Sequence, residues 1–102
     1  MPKKNSQGAA PELILLTEPR CKGCQDLKAR FPKLAEVVRE VDLLSDEGVD
    51  LGMELVSRED FEGVPMVLEK QGKQIQSCNI ELDGKHLLVN CPSRTERIVG
   101  TD

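Results

Sequence analysis

Glu12 to Thr17 (ELILLT) is a nearly continuous apolar run of strand length, without the alternation of a one-sided strand. It is expected as an interior strand buried on both faces. The chain then turns at Glu18-Pro19-Arg20. From Cys21 to about Arg39 the apolar positions Leu27, Phe31, Leu34 and Val38 recur at spacings of four, three and four, which is one face of a helix. Pro32 falls within that stretch and lacks a backbone donor, so it is expected to kink the helix or to open a second part. Val38 to Leu44 (VREVDLL) reads as a second strand from its β-branched content and alternation.

A second helix is expected next, capped by Ser45 or Asp46, with Val49, Met53 and Val56 along one face and weakened by Gly48 and Gly52. Val64-Pro65-Met66-Val67-Leu68 places a proline at the mouth of an apolar strand, where a missing donor is tolerated. Gln71-Gly72 offers a tight turn into Lys73 to Cys78, completing a hairpin. Residues 79–90 admit two readings, a hairpin turning at Asp83-Gly84 or a helix capped by Asn79, and the residue pattern favours the hairpin. Ser93 with Glu96 fits a capping box before a final helical turn ending near Gly100. Met1 to Ala10 has no apolar periodicity and is expected as a mobile tail, leaving residues 11–102 as a single domain.

Composition narrows the function classes. At 102 residues there is material for one core and not for two. Fourteen basic against 18 acidic side chains, with no Trp, no Tyr and two Phe, provide neither a basic face nor a stacking platform, so nucleic acid is not expected as a partner. The longest apolar run, Leu13 to Leu16, is far short of the ~20 residues of a membrane helix and of a signal-peptide core. No membrane partner, a cytoplasmic location and a monomer are therefore expected. In that compartment the four cysteines begin as thiols and a disulfide is transient. The charge-rich stretches around Lys28 to Arg30 and Arg58 to Asp60 read as solvated faces, and His86 as an exposed turn residue.

The candidate chemistry is Cys21-Lys22-Gly23-Cys24, which follows an apolar strand and opens a helix. Residues three apart in a first helical turn share a face, so the two sulfurs reach disulfide distance. The unpaired N–H groups and positive dipole end there stabilise a thiolate, helped by Arg20 and Lys22 and opposed by Glu18. A static disulfide and half of a metal site are the alternatives. Metal would need further ligands, and Cys78 and Cys91, with twelve residues between them, match no zinc-knuckle spacing.

Together these residues resemble the thioredoxin superfamily, nearer to the glutaredoxins than to thioredoxin. Thr17-Glu18-Pro19-Arg20-Cys21-Lys22-Gly23-Cys24 is similar to the glutaredoxin segment in which Thr or Ser, a variable residue and Pro precede C-x-x-C. Arg20 stands where thioredoxins usually have Trp. Val64-Pro65 before Met66-Val67-Leu68 resembles the family's cis-proline signature, and Val41-Asp42 resembles the end of its second strand. The resemblance spans residues 12–79. It implies an α/β, thioredoxin-like fold, with a central mixed sheet of about four strands flanked by helices. It further implies a thiol–disulfide oxidoreductase without bound cofactor or metal, in which Cys21 attacks and Cys24 resolves. Arg20, Lys22, Gly23, Val64 and Pro65 would contact substrate. The partners implied are proteins or peptides carrying a disulfide, and a reductase or low-molecular-weight thiol as electron source.

Two departures are visible. Gln76-Ser77-Cys78-Asn79 stands where glutathione-binding members carry Gly-Gly and an acidic residue, and Leu15 stands where thioredoxins bury an Asp. A redox-inactive binding or regulatory module is therefore the rival reading. Cys78 reads as a small buried hydrophobe, and in the family register it lies at a strand end near the active-site groove. Were Asp83-Gly84 a two-residue turn, Cys78 would face Val89 and lie diagonal to Cys91 at ~7–8 Å, beyond the usual ~6.8 Å limit for a disulfide. Both are expected as free thiols in the reduced protein.

Overall fold

The computed structural model describes residues 11–101, so the expected tail 1–10 lies outside the described residues. Strand β1 (Glu12–Thr17) leads into helix α1 (Lys22–Arg30), a 3-10 turn (Pro32–Glu36), β2 (Arg39–Asp42) and α2 (Asp46–Ser57). Five strands follow: β3 (Met66–Gln71), β4 (Gln74–Ser77), β5 (Asn79–Asp83), β6 (His86–Asn90) and β7 (Thr95–Val99). The first four strands in chain order form a mixed sheet in the order β2-β1-β3-β4. In it β1 runs parallel to β2, Leu16 opposite Val41, and antiparallel to β3, Leu15 opposite Val67.

Side-chain alternation explains why β1 is apolar throughout. Leu13 and Leu15 enter one core with Val67, while Ile14 and Leu16 enter a second core with Met66 and Leu68. On the first face lie Phe31, Leu34 and Val38 together with Leu87, Val89 and Ile98. On the second lies α2, through Leu51 and Leu55.

The architecture corrects the expected thioredoxin-like α/β fold with helices flanking a central sheet. Among the described residues there are seven strands against two short α-helices, and a second, antiparallel sheet β5-β6-β7 follows the first. Residues 79–90 form the hairpin. The expected final helical turn after Ser93 is strand β7, because alternation buries Ile98 against the Phe31 core and leaves Arg97 and Val99 outside. Ser93 does not cap a helix; its hydroxyl donates to the buried Glu69 carboxylate on β3.

The expected helix from Cys21 to Arg39 is interrupted at Phe31, whose N–H closes α1 on the Leu27 carbonyl. Pro32 then opens the 3-10 turn. The second strand is shorter than expected, four residues, because Ser45 caps α2 through a 3.0 Å bond from the Gly48 N–H. In α2 Val49, Met53 and Val56 share one face as expected, but that face is the exposed one, and Gly48, Leu51, Gly52 and Leu55 point in. The glycines set this orientation. A Cβ at Gly48 would stand 2.0 Å from the Asp42 carbonyl oxygen, so this helix face approaches the preceding loop more closely than any side chain allows.

Arg39 fastens three element ends. Its guanidinium donates at 2.8 and 3.1 Å to Glu12 and at 2.8 and 2.7 Å to Glu47 in the first turn of α2. Those hydrogen bonds hold both carboxyls below the usual carboxylate range and raise the Arg39 guanidinium in turn. A depressed carboxyl contributes stability that is present above the unfolded value near ~4.3 and lost as pH falls through the folded value. Arg39→Met is therefore expected to flatten the loss of stability between about pH 5 and pH 3. These groups are 39–46% exposed, so the difference is held to within ~1 kcal/mol. Urea melts at both pH values check this, and parallel losses in variant and wild type would refute it.

Candidate redox site

The segment between β1 and α1 closes on itself before it reaches the cysteines. The Cys21 N–H donates to the Glu18 carbonyl at 3.0 Å, and the Gln25 side-chain amide returns to the Pro19 carbonyl at 3.1 Å. Cys21 is the N-cap of α1, in extended backbone conformation, and its sulfur accepts the Cys24 N–H at 3.0 Å. One of the helix's otherwise unpaired donors thus points at Sγ. Cys21 is partly exposed and Cys24 is 1% exposed. Their Cα atoms lie 5.2 Å apart, and the structure joins them in a disulfide.

The helix carrying the pair is anchored behind it. Glu40 on β2 accepts from Lys28 of α1 and from the buried Thr17 hydroxyl at the end of β1, both at 2.8 Å. The Lys28 hydrogen bond first, and the Thr17 hydroxyl second, lower the Glu40 carboxyl from its ordinary value. This brace carried no signal in the sequence, since its partners are 12 and 23 residues apart.

The structure brings Pro65 to the pair. The Val64–Pro65 peptide is cis, and Pro65 Cδ stands 3.5 Å from where a Gly23 Cβ would be. The proline ring thus lies against the middle of the C-x-x-C turn, at a distance where even a Cβ at position 23 would make only ordinary van der Waals contact. Arg20 and Lys22 are exposed, and among the described residues neither is in an ion pair with a carboxylate, so both lend positive charge beside Cys21. Leu15, six residues before Cys21, is fully buried in an apolar core.

Two cavities flank Pro65. One of about 250 Å³ lies between α1 and the β5-β6 hairpin and is lined by Gly23, Leu27, Phe31, Ile80 and Leu87, with Arg30 and Glu81 at its border. The other, of about 220 Å³, includes Val64, Met66, Cys78 and Ile80. Pro65 lines both cavities, and Val64 lines the second. The hairpin's contribution was missed in the sequence, because nothing local marks Ile80 or Leu87 as lying across from Gly23.

Cys78 and Cys91 are joined in a disulfide with Cα atoms 4.4 Å apart, which corrects the expected diagonal placement beyond disulfide reach. The hairpin turns one residue later than expected, at Gly84-Lys85, with Asp83 opposite His86 and Asn79 opposite Asn90. Gly84 takes φ +61°, in the left-handed region open to glycine. The one-residue shift puts Cys78 directly opposite Cys91 instead of diagonal to it.

Among the described residues no group of three or more His, Cys, Asp or Glu side chains is placed to hold a metal ion, and no helix is long and apolar enough to cross a membrane. No family model matches the chain, and no significant match was found with curated proteins or solved structures.

Proposed function

We propose that the chain is a thiol–disulfide oxidoreductase acting on disulfides in proteins or peptides. The observation that carries this reading is Cys21 at the N-cap of α1, its sulfur receiving the Cys24 N–H at 3.0 Å, with Cys24 buried beside it. In the reduced protein a Cys21 thiolate keeps that hydrogen bond and the positive end of the helix dipole. It attacks one sulfur of a target disulfide; a mixed disulfide forms, and the other target sulfur leaves as a thiolate and takes a proton from water. Cys24, deprotonated, then attacks Cys21 Sγ. The Cys21–Cys24 disulfide forms, and the second target sulfur leaves as a thiolate that takes up, through water, the proton Cys24 has lost. The target gains two electrons and two protons, which a low-molecular-weight thiol or a reductase must return to the pair. No bound cofactor enters this cycle.

Pro65 and Val64 serve as the wall along which an extended target segment lies, backbone to backbone. The apolar cavity beside Leu27 and Phe31 would take a side chain next to the target cysteine. Arg20 and Lys22 favour a segment with acidic neighbours.

The test is a redox titration across defined thiol/disulfide buffers, with thiols trapped by alkylation and mapped by residue. One reversible transition at Cys21 and Cys24 is expected, within the ~−180 to −300 mV span of exchange proteins. A pair that stays oxidised throughout that span would make it a static brace and leave a binding module in its place.

A further inference from the structure

The apolar residues of α2 divide into two stripes, and the second has no covering in the fold. Leu51 and Leu55 face the sheet, whereas Val49, Met53 and Val56, at i, i+4 and i+7, are 44, 67 and 61% exposed. Leu44, just before the helix, is 68% exposed. Between this stripe and Leu43 and Phe61 runs a groove of about 440 Å³, within the size range of ligand sites. Its floor is Gly48 and Gly52, where the helix presents no side chain. Apolar patches of this kind mark interaction sites.

The surroundings select the occupant. Residues 42–62 carry eight carboxylates and one cation, Arg58, a formal −7 against −4 for the whole chain. Arg58 is engaged with Glu54 at 3.4 Å and Asp60 at 3.3 Å; of the cations on the sheet that act on Glu47 of α2, Arg39 is engaged with Glu12 and Glu47, and Lys70 acts on the same two carboxylates. Asp46, Asp50, Glu59 and Glu62 are exposed and stand within three residues along the chain of side chains that line the groove, so the apolar groove has an acidic rim. A second copy docking face to face would set one acidic rim against another, and an anionic lipid surface would be repelled. We propose that the outer face of α2 is a docking surface for a basic amphipathic helix of another protein. Aliphatic side chains at helical spacing enter the groove, and flanking Lys or Arg meet the acidic rim. This surface lies on the opposite face of the four-stranded sheet from α1, so it is independent of the redox chemistry.

The test uses three fluorescein-labelled helical probe peptides of equal length: one with Leu at i, i+4 and i+7 and Lys elsewhere, one with Glu for Lys, and one with Ser for Leu. By fluorescence anisotropy, the Lys/Leu peptide is expected to bind wild type at least tenfold more tightly than either sibling, and to weaken as salt is raised. The triple variant Val49→Ser, Met53→Ser, Val56→Ser and the variant Asp50→Lys are each expected to weaken that binding at least tenfold. All replaced side chains are exposed, so circular dichroism melts should match wild type and verify the fold. Equal binding of the Lys/Leu and Lys/Ser peptides would overturn the proposal by reducing the site to diffuse charge. So would unchanged binding in the triple-serine variant. A wild-type dimer in sedimentation that this variant dissociates would also overturn it, since the occupant would then be a second copy.

Discussion

Cys21→Ser is expected to abolish reduction of a fluorescent peptide disulfide, lowering kcat/KM by about 10³-fold or more, because the nucleophile is lost outright and no second thiol of the pair is exposed to replace it. Cys24→Ser should behave differently. Its Cys21 still attacks, but nothing resolves the product, so the variant is expected to accumulate a mixed disulfide with the peptide that is visible by mass spectrometry and released by added thiol. The contrast follows from burial: Cys21 is partly exposed at the helix cap, Cys24 lies beneath it. Both substitutions keep the cap, since a serine hydroxyl at position 21 also accepts from an N–H of the first turn. Equal trapping by both variants would contradict the assignment of roles, and wild-type rates in Cys21→Ser would remove the pair from catalysis.

How far the residues alone reach can be read at four places. The stripe Leu27, Phe31, Leu34 and Val38 names side chains of one core, Leu27 partly buried at its edge, even though the helix breaks at Phe31, because what periodicity reports is a face turned to the interior. The stripe Val49, Met53, Val56 does mark one face of α2, but the exposed one. There the decisive feature is a contact without a side chain, Gly48 against the Asp42 carbonyl, which no hydrophobic pattern records. Ser93 and Glu96 match a capping box locally, yet Ser93 finds Glu69 on β3, and Glu96 lies opposite Val89 in the second sheet. Long-range pairing outweighs a cap over so short a stretch. The C-x-x-C turn and Val64-Pro65 stand out in the sequence, but their meeting over Gly23 and the cavities beside it depend on a hairpin whose position the sequence does not state.

Replacing both Cys78 and Cys91 by Ala is expected to cost about 3 kcal/mol of stability. The bridge closes a loop of 13 residues in sequence separation, and chain-entropy arguments give about 3 kcal/mol for a loop of that length. Against the roughly 5–15 kcal/mol of a typical domain that is a large share. The position of the bridge makes the loss local as well as global. Cys78 is the one residue between β4 and β5, where the chain leaves the first sheet for the second, and its N–H still donates to Val67 of β3 at 2.9 Å. Through Cys91 it ties the far end of β6 to that crossing point, and both cysteines lie at the Phe31 core with Leu87 and Val89. Ile80 and Leu87, which face Gly23 across the larger cavity at the candidate redox site, belong to the same hairpin. Loosening the hairpin is therefore expected to raise KM for a peptide disulfide while leaving the rate with a small, non-peptide disulfide nearly unchanged. Urea midpoints of oxidised wild type and the double variant, both in a Cys21→Ser, Cys24→Ser background, isolate the bridge's effect. A difference below about 0.5 kcal/mol would show that the hairpin is held by its core alone.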